Sequence, residues 1–131
     1  MKGDNKDNRK WDEPLPTGCP PQDAIAPTGN AYFRLVDSVP PTDRDFWSQR
    51  RLFPEKAFRV DECTARACSL ISDIDRCVGL LKLPTQKNRK VVAFTLRADS
   101  GLIKNTGKWY HYSWWRAKGF DPLPFCTEIK L

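Results

Sequence analysis

Five of the chain's 11 prolines, Pro14, Pro16, Pro20, Pro21 and Pro27, fall within its first 28 residues. Each removes a backbone donor and fixes φ, so this stretch can hold neither a helix nor a continuous sheet ladder. With the charged segment Asp4 to Lys10 ahead of it, residues 1–28 read as a flexible Pro-rich arm, with Leu15 and Ile25 as the apolar residues able to pin it down. Residues 29–131 are left to form the fold. A chain of this size buries about two-thirds of its unfolded surface, so a single core needs no metal or disulfide staple.

Beyond the arm, turn residues cut the chain into short elements. Ala31-Tyr32-Phe33-Arg34-Leu35-Val36 is rich in β-formers and lies between Thr28-Gly29-Asn30 and Pro40-Pro41, which predicts a strand. Thr42-Asp43-Arg44-Asp45 resembles a capping box opening a short helix through Phe46 and Trp47 to about Arg51. Residues 61–66 read as a helical turn, and residues 67–71 as a second strand. Ser72 with Asp75 offers another capping box. Ile74, Cys77, Val78 and Leu81 follow at i, i+3, i+4 and i+7, predicting an amphipathic helix over 73–82 that Pro84 ends. Residues 90–98 form the clearest strand. Asp99-Ser100-Gly101 and Asn105-Thr106-Gly107 turn the chain, residues 108–115 form a further strand, and residues 125–131 can close the sheet. The fold class expected is α+β: one small domain, mainly antiparallel sheet with two short helices.

Cys19, Cys63, Cys68, Cys77 and Cys126 are odd in number, and no export signal precedes them, so they read as small buried hydrophobes rather than a disulfide framework. Their spacings contain no C-x-x-C, so no metal site is expected. No apolar run is long enough to span a bilayer. The expected location is cytoplasmic, with no membrane partner.

Charge separates along the chain. Residues 81–131 carry ten basic side chains against three acidic ones, whereas the first 80 residues are close to balanced. The same third holds Trp109, Tyr110, Tyr112, Trp114 and Trp115. Cations interleaved with flat rings bind phosphates and stack on bases, which marks Lys87, Arg89, Lys90, Lys108, Trp114, Trp115 and Arg116 as candidate nucleic-acid contacts. The same pattern equally describes a strand with core aromatics and a solvated lysine rim.

Arg34 sits mid-strand among apolar neighbours, where a guanidinium must face water, be paired, or grip a phosphate or carboxylate. His111 is the only histidine. Alternation puts it on one face with Trp109, Ser113 and Trp115, with Tyr110, Tyr112 and Trp114 on the other. It is either an ordinary hydrogen-bonded sheet residue or a general acid/base.

The order of elements, with Tyr32-Phe33-Arg34-Leu35-Val36, Asp45-Phe46-Trp47-Ser48, Cys68-Ser69-Leu70-Ile71 and the strand over 91–96, resembles the compact core of ADP-ribosyltransferase-like folds. These include toxin transferases, RES-type NAD-degrading toxins and RNA 2′-phosphotransferases. The resemblance implies NAD as a substrate rather than a permanently bound cofactor. It implies Arg34 on the pyrophosphate, Ser69 and Tyr110 as further NAD contacts, and His111 and Glu128 as catalytic partners, Glu128 stabilising an oxocarbenium-like centre. Ser69 lacks the family's Ser-x-Ser or Ser-x-Thr continuation, and Glu128 lacks a Glu-x-Glu or Gln-x-Glu setting. The transferase resemblance implies an NAD-consuming toxin or defence component; the segment Pro20 to Ala24 ahead of the first strand, and the later Trp-Trp pair, also resemble small bacterial proteins of mobile elements, a resemblance that brings no activity with it. The alternative is a non-catalytic accessory module that binds single-stranded nucleic acid or a protein partner through the basic aromatic third.

Overall fold

A computed structural model describes residues 10–131. Six antiparallel strands form one sheet in the order β4-β5-β2-β1-β3-β6. They are β1 (Ala31–Val36), β2 (Cys68–Ile71), β3 (Lys90–Thr95), β4 (Gly101–Asn105), β5 (His111–Arg116) and β6 (Thr127–Ile129). Three short α-helices, α1 (Gln49–Leu52), α2 (Glu62–Ala65) and α3 (Ile74–Leu81), complete an α+β domain. Among the described residues no helix is long and apolar enough to cross a membrane.

Residues paired across strands share a face, so the register divides the core in two. The pairs Tyr32↔Phe94 and Cys68↔Trp114↔Ile103 lie on one face. There they pack with Val36, Leu70, Val92, Phe46 and Phe120. On the other face Cys77 of α3 packs with Leu35 and Val91, and Trp115 packs separately with Ala24, Ala67 and Leu102. Trp114 and Trp115 thus fill opposite faces, as alternation requires. Each indole removes on the order of 200 Å² from water, roughly 5 kcal/mol at 25 cal/mol per Å².

The expected arm is where the structure departs most from the sequence reading. Residues 10–28 lie on the domain as a strap, while residues 1–9 lie outside the described residues. Trp11 bridges Ala117, and Ile25 bridges Ile103 of β4. Glu13 accepts from both the amide and the hydroxyl of Ser48. Arg66 donates to the Pro14 carbonyl at 3.0 Å. Ala24 is fully buried. The prolines do deny the strap a continuous ladder, and it is held instead by these isolated contacts and by a Cys19–Cys63 disulfide. That bond corrects the reading of all five cysteines as packed thiols. Spacing cannot reveal it, because the two residues are 44 positions apart and meet only when the strap folds back onto α2.

Local boundaries differ too. The helix expected from Thr42 to Arg51 splits into a 3-10 turn, Asp43–Phe46, and α1. Ser48 begins again as an N-cap, its hydroxyl accepting from the Arg51 amide. The N-cap of α3 is Asp73, not Ser72, whose hydroxyl donates to the Tyr110 carbonyl. The short segment between the two predicted turns is β4, too brief for alternation to register but paired along its whole length with β5. Its first residue must be glycine. At φ +136° a Cβ on Gly101 would sit 2.1 Å from the Trp115 carbonyl oxygen.

Candidate functional site

Arg34, His111 and Glu128 do not converge. Arg34 pairs with Val92, and Val92 with Glu128, so these three share a face. Glu128 nevertheless stands two strands away at the sheet edge, about 10 Å by strand spacing. His111 lies two strands to the other side, in register with Ile71, whose partner Phe33 points opposite to Arg34. Its Nδ1 is 2.9 Å from the Thr106 carbonyl oxygen and 3.1 Å from the Thr106 hydroxyl. The catalytic trio implied by the resemblance is therefore spread over both faces.

Arg34 is occupied by the fold itself. Its Nε donates to the Asp45 carbonyl and its Nη1 to the Ser69 carbonyl at 2.6 Å. The Asp45 carboxylate in turn accepts from the amides of Asp37 at 3.1 Å and Thr42 at 2.8 Å. The guanidinium is thus a cross-tie between the 3-10 turn and β2. Ser69 meets Arg34 only through its backbone, since its register with Ser113 puts its side chain on the His111 face. Tyr110 precedes β5. Its ring meets Trp109 edge-on at 5.4 Å and lies 4.8 Å from the Arg76 guanidinium.

The aromatic strand is core, not a stacking platform. Trp114 and Trp115 are 0% and 1% exposed, and their indole N–H groups donate to the carbonyls of Ser100 and Cys63. Arg116 is committed to Asp43 at 2.8 Å and to the Phe120 carbonyl at 2.9 Å. These three residues leave the list of nucleic-acid contacts: bases cannot reach the two rings, and the cation is already neutralised. The exposed tryptophan is Trp109, at 63%, beside Lys108. It was legible as the one ring of the cluster next to the Asn105-Thr106-Gly107 turn.

No protein-family model matches the chain, and no curated protein or solved structure is significantly similar to it.

Three of the four remaining basic candidates gather, while Lys108 stands apart between β4 and β5. Lys87, Arg89 and Lys90 line an open groove of about 400 Å³ together with Lys130, Glu128, Leu81, Val91, Ile129 and Leu131. The groove lies where α3, the start of β3 and the end of β6 meet. Arg89 is its fixed member, donating to the Leu35 carbonyl at 2.8 Å and facing Asp37 at 3.3 Å. Lys87, Lys90 and Lys130 are exposed and make no ion pair among the described residues. Glu128 is the only acidic side chain in the lining. Sequence reasoning missed Lys130, whose position depends on the register of a three-residue strand.

No free thiol is set up as a nucleophile. Burial, reinforced by the charge of Asp73, pushes Cys77 up to about 11, and burial with Asp121 and Asp45 does the same to Cys126. Burial also raises Cys68, against the opposing charges of Arg34 and Arg116. Among the described residues no group of three or more His, Cys, Asp or Glu could hold a metal ion.

Proposed function

We propose that the chain is a non-catalytic binding module whose basic groove takes an acidic segment of a protein partner. The observation that carries this reading is the set of exposed, unpaired Lys87, Lys90 and Lys130 around a groove with one acidic side chain. An NAD-consuming activity asks Arg34, His111 and Glu128 to meet around one diphosphate and its ribose, whereas His111 lies on the opposite face and Glu128 two strands from Arg34. Single-stranded nucleic acid is disfavoured for another reason. Its non-specific binders pair a basic track with exposed rings for base stacking, and no aromatic residue lines this groove.

The disulfide bears on where such a partner is met. Structural disulfides persist in oxidising surroundings, so the Cys19–Cys63 bond supports an oxidising compartment over the cytoplasm expected from sequence.

Titrating the protein with a Glu-rich peptide, an oligo-dT strand and NAD at several salt concentrations tests this function. The expected result is peptide binding that weakens with salt and is lost in a Lys87→Glu/Lys90→Glu variant, with no NAD turnover. Tighter binding of the oligonucleotide than of the peptide, or hydrolysis of NAD that depends on Arg34, overturns it.

A further inference from the structure

The sheet has two edges, and among the described residues one of them is covered and the other is not. On β4, the Ile25 amide donates to the Ile103 carbonyl at 2.9 Å, and the Ile103 amide donates back at 2.8 Å. β6 ends the sheet on the other side. Its inner side is paired with β3 through Val91↔Ile129, Val92↔Glu128 and Ala93↔Thr127. Outside that ladder no backbone hydrogen bond involves residues 127–131 among the described residues. An edge of this kind offers unpaired donors and acceptors in strand geometry, a template for another chain.

The surroundings of the edge select among chains. Phe125 before β6 and Leu131 after it are 42% and 62% exposed, so both ends carry apolar surface. Ile129, Val91 and Leu81 add further apolar lining, with Lys87, Lys90 and Lys130 around them. A second copy pairing in parallel through its own β6 would bring the same lysines against one another, a costly like-charge juxtaposition, and an antiparallel copy centred on Glu128 would place the two clusters at opposite ends with no carboxylates brought to meet them. A strand alternating acidic and apolar side chains meets these lysines with opposite charge, against the single like charge of the Glu128 side chain.

We propose that an extended acidic segment of the partner adds to the outer edge of β6 as a further antiparallel or parallel strand. Its backbone pairs with Thr127–Ile129, and its carboxylates meet Lys87, Lys90 and Lys130. Affinity then comes from main-chain hydrogen bonds and selectivity from the lysines, the division of labour seen in strand addition generally. The inference rests on the reading of the basic groove as a site for an acidic partner, and adds the mode of binding.

An added strand uses the amides of alternate residues only, so backbone methylation separates mode from charge. The probes are a peptide of alternating Glu and Val, two versions N-methylated on one or the other alternate set, and a Lys-Val peptide of the same length. The expected result is salt-sensitive binding of the parent peptide and none of the Lys-Val peptide. One methylated set is expected to bind about tenfold more weakly, from the loss of two or so hydrogen bonds, and the other nearly unchanged. Equal affinity of both methylated sets with the parent overturns strand addition and leaves the acidic groove standing. No binding of the parent peptide at low salt overturns both.

Discussion

The β4 and β6 edges belong to one sheet and meet the same physical problem by different means. At β4 the chain brings its own strap across. The Ile25–Ile103 bridge satisfies the edge, Asp23 pairs with Lys104 of β4 at 3.2 Å, and the strap's inner side covers Trp115 and Leu102. At β6 the edge is short and followed by Lys130, features that discourage self-pairing without covering the backbone. The first edge is closed at the cost of ordering some twenty residues that cannot form regular structure. Its enclosed side carries apolar packing and the Asp23–Lys104 pair, whereas the groove beside the open edge gathers Lys87, Lys90 and Lys130 with no ion pair among the described residues. The comparison teaches that an edge closed by the chain's own strap has its nearby lysine paired, while the uncovered edge stands beside a cluster of lysines that the fold itself does not pair.

Breaking the closed edge has the largest expected effect. Deleting residues 1–28 exposes Trp115 and Leu102 and removes the disulfide, the Glu13–Ser48 bonds and the β4 bridge together. Loss of a cooperative thermal transition is expected, and an intact transition in the truncated protein shows that the strap is dispensable. Gly101→Ala attacks the same edge from within. A Cβ cannot occupy the space 2.1 Å from a backbone oxygen, so expression of soluble, folded protein is expected to fail. Wild-type melting of this variant would mean that β4 sits elsewhere.

Opening only the disulfide is milder. With the cysteines 44 positions apart, chain-entropy bookkeeping gives about 4 kcal/mol lost in Cys19→Ser. Urea denaturation measures it, and an unchanged midpoint with or without reductant removes the bond from the account. The smallest effect is a pH dependence near the strap. Burial works against the Asp43 carboxylate, but hydrogen bonds from Trp47 Nε1 and Arg116, with the charges of Arg116 and Arg51, hold its pKa below the usual 3.8. A lowered carboxyl pKa stabilises the fold fully above the unfolded value and loses that contribution as pH falls through the folded one. Stability is therefore expected to decline below about pH 4 and to decline less in Asp43→Asn, in urea titrations at stepped pH.

The regions legible in the sequence are those with a period. β1, β3 and α3 carry their signals locally, and the alternation along 111–115 correctly separated Trp114 from Trp115. That alternation did not say that both faces of β5 are covered, because the covering elements, the strap and the Phe46 turn, are distant in the chain. Arg34 shows the same limit. Its mid-strand position marked it as needing partners, but those partners are two backbone carbonyls, which no side-chain pattern announces. The groove was half legible: Lys87, Arg89 and Lys90 lie close together in sequence, whereas Lys130 joins them only through the pairing of β6 with β3.

Amide hydrogen exchange by NMR tests the contrast between the two edges most directly. The Ile25 and Ile103 amides are expected to be protected in the free protein, since each donates across the closed edge. The outward amides of β6 are expected to exchange rapidly and to slow when the Glu-Val peptide is added at saturation. Protection of those amides in the free protein, or rapid exchange at Ile103, would contradict the account, as would β6 exchange that saturating peptide leaves unchanged.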